Sequence, residues 1–372
     1  MMLNPSTNTT FCEPQKIPAF FPGFLSLVFF CGFILNCTSI WIFWFRIKQW
    51  NSMIILQFNL ALSDAIITPA APFIIVYHFT EDWMFGTFLC QVKVFLLSTH
   101  MYGSVYFMTL ISLHRYFTVA HNVRGTVLSR DSFIKKSSLM IWGCLVLQGL
   151  PFFFTLKTSE IHGTTKCLSI HQREQAVLYF VWNWVILFSG LLIPFVITII
   201  CYTLLGRFIL KMNTVNTVSK IVKSKSLQTI GVSLVIFIIC YVPLHVLRTL
   251  GVTAALFLPA NCTLLERIEI GYYITWVLSG TNCCLDPMLY CFASDKFYAH
   301  FINSFKWIVC RGGSPCGGAA SQTEHFQNAS AGYGETYRHS PYGIATEGII
   351  GTDVACSVAT SGEGPGFLSR QI

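Results

Sequence analysis

Seven stretches of the chain, roughly 18–44, 53–77, 88–119, 137–154, 176–204, 227–252 and 268–292, are continuous apolar blocks rather than amphipathic stripes. About 20 such residues cross a bilayer as a helix. The pattern predicts an all-α membrane protein, a seven-transmembrane helix bundle occupying 18–292. Residues 1–17 are polar, with no basic start leading into an apolar core, so no cleavable signal is expected and the first span directs insertion. Past the seventh block, "SDKFYAHFINSFKWIVC" sets Phe297, Phe301, Phe305 and Ile308 at i, i+4 and i, i+3 spacing. That predicts a short amphipathic eighth helix over 293–310, lying on the membrane surface. From 311 to 372, Gly, Ser, Thr and Ala prevail without period, which predicts a disordered cytoplasmic tail.

Of 372 residues, 53% are hydrophobic and 11% charged, against about 25% charged in a soluble domain. A water-soluble protein is excluded. Connections after the first, third and fifth blocks carry Arg46 and Lys48, then Arg124, Arg130, Lys135 and Lys136, then Arg207, Lys211, Lys220, Lys223 and Lys225. The opposite loops carry Glu81, Asp82, Glu160 and Glu174 with fewer bases. Basic loops stay in the cytoplasm, so the N-terminus is expected outside and the C-terminus inside. The net charge of +8 reflects this bias and gives no case for nucleic-acid binding. An outside N-terminus suits glycosylation at Asn8, in Asn8-Thr9-Thr10. Among 15 cysteines, Cys12, Cys90, Cys167 and Cys262 fall on that oxidising side. Four thiols suggest two bridges, and spacing leaves three pairings open.

Inside the spans, Asn36, Asp64, Asn282 and Asp286 are polar where an isolated polar group is costly. Such residues either glue helices together or mark a pathway or switch. The stretch "CYVPLHVLRTLG" breaks the sixth block at Pro243, then sets His245 and Arg248 three apart on one helix face. A guanidinium engages phosphate or carboxylate as a bidentate fork. The competing reading has Arg248 snorkelling, or paired with Glu266 or Glu269. Lys93 and Lys166 add positive charge around the same mouth.

The segments "GFILN" with Asn36, "NLALSD" with Asp64, Cys90 and "HRY" (His114-Arg115-Tyr116) follow one another along the first three spans. Trp142, Pro194, Tyr202, "FIICYVP" and "NCCLDPMLY" continue the series through the seventh. In this order they resemble the rhodopsin-like G-protein-coupled receptors. The resemblance implies bridges Cys90–Cys167 and Cys12–Cys262. It also implies a sodium and water pocket around Asp64, Asn36 and Asn282, with Na+ at Asp64 as the one cofactor. Arg115 would meet the G protein in the active state, with Tyr202 and Tyr290 swinging toward it. Phe237 and Tyr241 would form the aromatic switch; Pro243 and Pro287, with Asp286 beside the latter, would kink their helices. His114 stands where the family usually has an acid, so the restraint on Arg115 is weaker or built differently. Cys310 is a candidate for palmitoylation, and the tail for receptor kinases and arrestin.

The outer pair Cys12 and Cys262, "HRY", Asp286 and His245-x-x-Arg248 resemble most the purinergic-receptor-like branch, with its receptors for nucleotides, succinate and oxoglutarate, hydroxycarboxylates and lysophospholipids. That implies a receptor, not an enzyme, for an extracellular anionic small molecule (nucleotide, carboxylate or acidic lipid), acting through a heterotrimeric G protein. His245 and Arg248 are the expected anion contacts, with Lys93, Lys166, Tyr102, Tyr106, Tyr273 and Trp276 around them. Trp276 stands where nucleotide- and dicarboxylate-binding relatives carry an arginine, which leaves room for a singly charged ligand with an apolar or aromatic body. An orphan or constitutively active receptor is the alternative. A transporter would show inverted repeats and a retinal protein a lysine within 268–292; the sequence has neither.

Overall fold

The computed structural model describes residues 20–120, 130–161, 163–167, 176–211 and 217–310. Asn8, Cys12 and the tail from 311 onward lie outside them. Six described helices are long and apolar enough to cross a membrane: Phe20–Arg46, Ser52–Thr80, Gly86–Val119, Asp131–Thr155, Ala176–Lys211 and Lys223–Phe257. A seventh is divided at Thr281 into Cys262–Gly280 and Asn282–Ala293, and an eighth helix, Asp295–Cys310, follows. The helices outrun the apolar blocks because backbone hydrogen bonding continues past the hydrocarbon edge where an end is favoured. Asp131 places a carboxylate in the first turn of the fourth span, where the helix dipole favours it. Asn51 and Asn261 cap the second and seventh spans by accepting the N–H of Ile54 and Leu264.

The bundle is inside-out by polarity. Phe20, Phe24, Leu27 and Phe30 of the first span and Val177, Val181, Val185 and Phe188 of the fifth point outward, while Asn36, Asp64, Ser104, Asn282 and Asp286 are buried. Lipid offers no hydrophobic drive between helices, so small residues and polar contacts hold the spans together. A Cβ on Gly103 would lie 2.8 Å from the Ser63 Cβ of the second span, and one on Gly190 would lie 2.6 Å from the Tyr102 ring. These two glycines set how closely the third span meets the second and the fifth. Trp142 donates Nε1–H to Asn59 Oδ1 at 2.8 Å, joining the fourth span to the second.

Prolines follow two of the widened turns. The fifth span widens over Leu187–Leu192 before Pro194, and the sixth over Ile236–Tyr241 before Pro243. A proline lacks the N–H that the carbonyl four residues earlier expects, and a wider turn relieves the mismatch. The seventh span is interrupted at Thr281, and its second helix continues through Pro287. The carbonyl orphaned by Pro287 is that of Cys283, and Asn36 Nδ2 of the first span donates to it at 2.8 Å. A tertiary hydrogen bond replaces the one that proline removes.

Between the fourth and fifth spans, β1 (Thr158–Ile161) and β2 (Thr164–Cys167) form an antiparallel hairpin. The Cys90–Cys167 disulfide ties it to the start of the third span. Thr165 binds on both sides of its backbone, its carbonyl accepting Trp83 N–H and its N–H reaching Asp82 Oδ1. Cys262 is also disulfide-bonded, while the Cys12 end of the expected second bridge lies outside the described residues. The eighth helix corrects one assignment. Phe297 is not on a lipid-facing stripe but fully buried, stacked on Phe43 and edge-on to Tyr290, because it follows directly on the turn out of the seventh span. Lys225 of the sixth span forms an ion pair with Asp295 at the start of this helix.

Gly103→Val forces the second and third spans apart and is expected to lower stability by about 1–3 kcal/mol, the usual cost of overpacking. Gly143→Ala, whose added Cβ meets nothing within 4 Å, serves as the control. Thermal unfolding of the detergent-solubilised protein reads both.

A candidate ligand cavity and the polar core beneath it

At the hairpin end, all seven spans, the fourth through Phe152 alone, enclose with Cys167 a cavity of about 230 Å³. That is just under the roughly 300–1,000 Å³ usual for small-molecule pockets, so a compact ligand suits it. The wall is largely apolar and aromatic, with Lys93, Arg248, Glu269 and His78 among its charged or basic members.

Arg248 projects from the helix that restarts at Val242 and donates Nη1–H to the Tyr102 hydroxyl at 3.1 Å. Lys93, near the start of the third span, is 7% exposed. Its Nζ stands 4.9 Å from the ring centres of both Tyr77 and Trp83, a cation–π clamp. Among the described residues, neither cation takes part in an ion pair. Glu269 accepts a hydrogen bond from the Tyr273 hydroxyl at 3.4 Å.

Of the other expected contacts, Tyr102, Tyr273 and Trp276 line the cavity and three residues do not. His245 sits one turn deeper than Arg248, sealed against Tyr102 with ring centres 5.8 Å apart, and neither of its nitrogens has a partner among the described residues. Tyr106 turns toward the fourth span and its hydroxyl meets Gln148 Oε1 at 3.1 Å. Lys166 donates to the Glu81 carbonyl at 2.6 Å. On a strand, neighbours point to opposite faces, and it is Cys167 that faces the cavity. No sequence signal marked His78 or Tyr77, since each belongs to no motif and reaches the cavity only through the packing of the second span on the third; Trp83, in the loop between those spans, only backs Lys93.

Below the cavity lies a polar core. Ser104 donates to Asp64 Oδ1 at 2.5 Å, and His100 Nδ1 stands 3.6 Å from the same oxygen. Asp286 lies against Asp64, and Asn282 donates to the Tyr241 hydroxyl at 2.7 Å. Asp64 Oδ2, both Asp286 oxygens, Asn282 Oδ1 and Asn36 Oδ1 have no hydrogen-bond partner among the described residues. Unpartnered buried oxygens without a donor make a hard donor set, suited to a small cation.

A family model described as "7 transmembrane receptor (rhodopsin family)" matches residues 35–290, which takes in every span from the Asn36 segment to Tyr290. Purinoceptor 4 of Rattus norvegicus is 34% identical over 303 residues, covering 79% of this chain and 80% of its own. Purinoceptor 1 of Homo sapiens is 30% identical over 282 residues, 75% of each. The chain belongs to the rhodopsin family of seven-transmembrane receptors. Within this family it falls in the purinergic-receptor-like branch, and it is a multi-pass plasma-membrane receptor rather than an enzyme.

At the end of this receptor opposite the hairpin, Arg115 is buried and its Nε has no hydrogen-bond partner among the described residues. His114 beside it is also buried, with no partner at Nδ1 among the described residues. The Tyr202 hydroxyl donates to Ser233 Oγ of the sixth span at 3.0 Å. Tyr290 is buried against Phe43 and Phe297, its hydroxyl without a hydrogen-bond partner among the described residues. Phe237 packs between Phe195 and Tyr241 within the widened turn that precedes Pro243.

Tyr102→Phe removes the acceptor from Arg248 while keeping the ring. A stability loss of about 1 kcal/mol is expected, that of one hydrogen bond at a half-buried site. Thermal unfolding of the ligand-free receptor measures it.

Proposed function

We propose that the receptor responds to a small extracellular anion (nucleotide, carboxylate or acidic lipid) that docks between Arg248 and Lys93. One observation carries this reading: two cations share a cavity, and their partners, the Tyr102 hydroxyl and the Tyr77 and Trp83 rings, are all neutral. A cation withdrawn from water without counter-charge is costly. An anionic ligand supplies that charge without first breaking an ion pair. The relatives are by name purinoceptors, which favours a purine-bearing anion among these classes. Trp276, in a place where nucleotide-binding kin carry arginine, favours few negative charges.

The ligand acts by shifting a population between inactive and active bundles, in proportion to its differential affinity for the two. Arg248, His245 and Tyr241 all ride on the sixth span, so an anion pulling on Arg248 biases the same helix whose far end borders Arg115 and Tyr202. In the active state that end admits a heterotrimeric G protein, with receptor kinases and arrestin working on the tail. The hairpin end faces outside with the N-terminus, and the C-terminus lies in the cytoplasm. The polar core takes Na+, held by Asp64 with Asp286, Asn282 and Asn36 around it, in the inactive state; the ion offsets the buried carboxylates.

In cells expressing the receptor, a second-messenger assay against nucleotides, small carboxylates and acidic lipids tests the ligand class. Arg248→Ala and Lys93→Ala are each expected to raise the half-maximal concentration by about thirtyfold or more at unchanged surface expression, since truncating one side of a buried charge pair costs about 2–5 kcal/mol. An undiminished response in both variants removes the anion reading. For the core, replacing Na+ by choline is expected to strengthen agonist binding in the native receptor and to change nothing in Asp64→Asn.

A further inference from the structure

The first span ends in a widened turn that no proline follows, at the end of the bundle opposite the ligand cavity. Over Ile42–Arg46 the helix loosens, and Ile47 N–H reaches back to the Ile42 carbonyl at 3.1 Å. Winding of this kind brings residues five apart onto one side. The Arg46 guanidinium accordingly lies 4.8 Å from the centre of the Trp41 ring, a cation–π contact. Trp41, Trp44 and Phe45 are exposed on the outside of the bundle, and so is Arg46. This corner therefore carries aromatic rings toward the lipid and a cation at their edge.

The eighth helix brings more positive charge to the same corner. Phe43 stacks on Phe297 at 4.8 Å. Arg46 and His300 each stand three residues beyond those rings, which sets them near one another. Burial and the Arg46 charge hold the His300 imidazole below its ordinary range. Lys296 lies one turn before His300 on the same helix face, and Lys48 lies in the loop just past Arg46; both are exposed. Among the described residues no ion pair or side-chain hydrogen bond joins Arg46, Lys48, Lys296 or the His300 ring to a partner. Asp295, the acid beside them in the chain, is paired with Lys225 of the sixth span. Like charges gathered without a counter-ion repel one another, and an anion from outside relieves that cost.

We propose that this corner, where the first span meets the eighth helix, binds the headgroup of a multiply charged membrane phospholipid, a phosphatidylinositol bisphosphate. Arg46 offers phosphate a planar fork, while Lys48 and Lys296 act as point charges beside it. Basic side chains set immediately beyond the end of a span attract such headgroups, each cation adding to the affinity. Trp41, Trp44 and Phe45 rest against the acyl chains, as interfacial aromatic residues do. A soluble acidic peptide would leave those rings without a role, so the occupant is a lipid. The site depends neither on the outer cavity nor on the ligand docked there.

Native mass spectrometry of the full-length receptor, released from micelles of mixed lipids, counts what stays bound, whichever end of the receptor faces the cytoplasm. The bisphosphate lipid is expected to outcompete phosphatidylserine supplied at equal total charge. The double variant Arg46→Gln/Lys296→Gln is expected to weaken its binding about twenty- to thirtyfold, about fivefold for each cation. Arg46→Lys/Lys296→Arg, which keeps both charges, is expected to retain most of it. Lys135→Gln/Lys136→Gln removes the same charge from exposed positions on the fourth span and is expected to change nothing. Thermal unfolding of each variant verifies that it folds. Equal binding of the two lipids, or unchanged binding in Arg46→Gln/Lys296→Gln, overturns the proposal. An equal loss in Lys135→Gln/Lys136→Gln overturns it too, since it marks a diffuse basic surface rather than a site.

Discussion

Hydrocarbon gives a polar group no water to bond with, and much of this receptor is arranged around that one constraint. Asp64 cannot remain in the second span alone, so Ser104 and His100 of the third span and Asp286 of the seventh gather on it. The same rule governs the backbone. Pro287 deprives the Cys283 carbonyl of its partner, and Asn36 crosses from the first span to restore it. Four spans are joined in this way by bonds that would be worth little in water, while the outward faces carry phenylalanine, valine and leucine that need no partner.

The cavity obeys the same rule in a different form. Among the described residues its cations form no ion pair, and a phenol and two ring faces sit against them instead. Charge on the cavity wall is thereby carried without an acid directly paired to it among the described residues. Directly beneath, His245 is sealed against Tyr102, and Tyr241 a turn below accepts Asn282. Ligand cavity and polar core thus share the sixth span, whose widened turn at Ile236–Tyr241 is the place where the helix departs from regular winding.

Seven apolar blocks were legible in the chain because a membrane span needs little more than length and the absence of charge. Asp64, Arg115, Pro243 and Pro287 were legible as well, since each is conspicuous in an apolar run. The helix ends were less so. Asp131 and Lys223 belong to their helices through backbone hydrogen bonding that hydrophobicity does not report. Phe297 has the spacing of a surface stripe yet is buried, because the turn out of the seventh span points it at Phe43.

Sequence by itself determined the number of spans and the presence of an arginine near one mouth, which rest on local composition and spacing, and the family, which rests on the resemblance of its ordered motifs. Only the tertiary structure decided which residues share the cavity. His245 and Arg248 lie on one helix face, yet one is sealed and the other open, because Tyr102, held close by Gly190, stands between them. Lys166 carries the right charge but its strand turns it away, and His78, with no motif around it, faces in. A side chain's direction depends on the neighbours that crowd it, and those neighbours come from spans far apart in the chain.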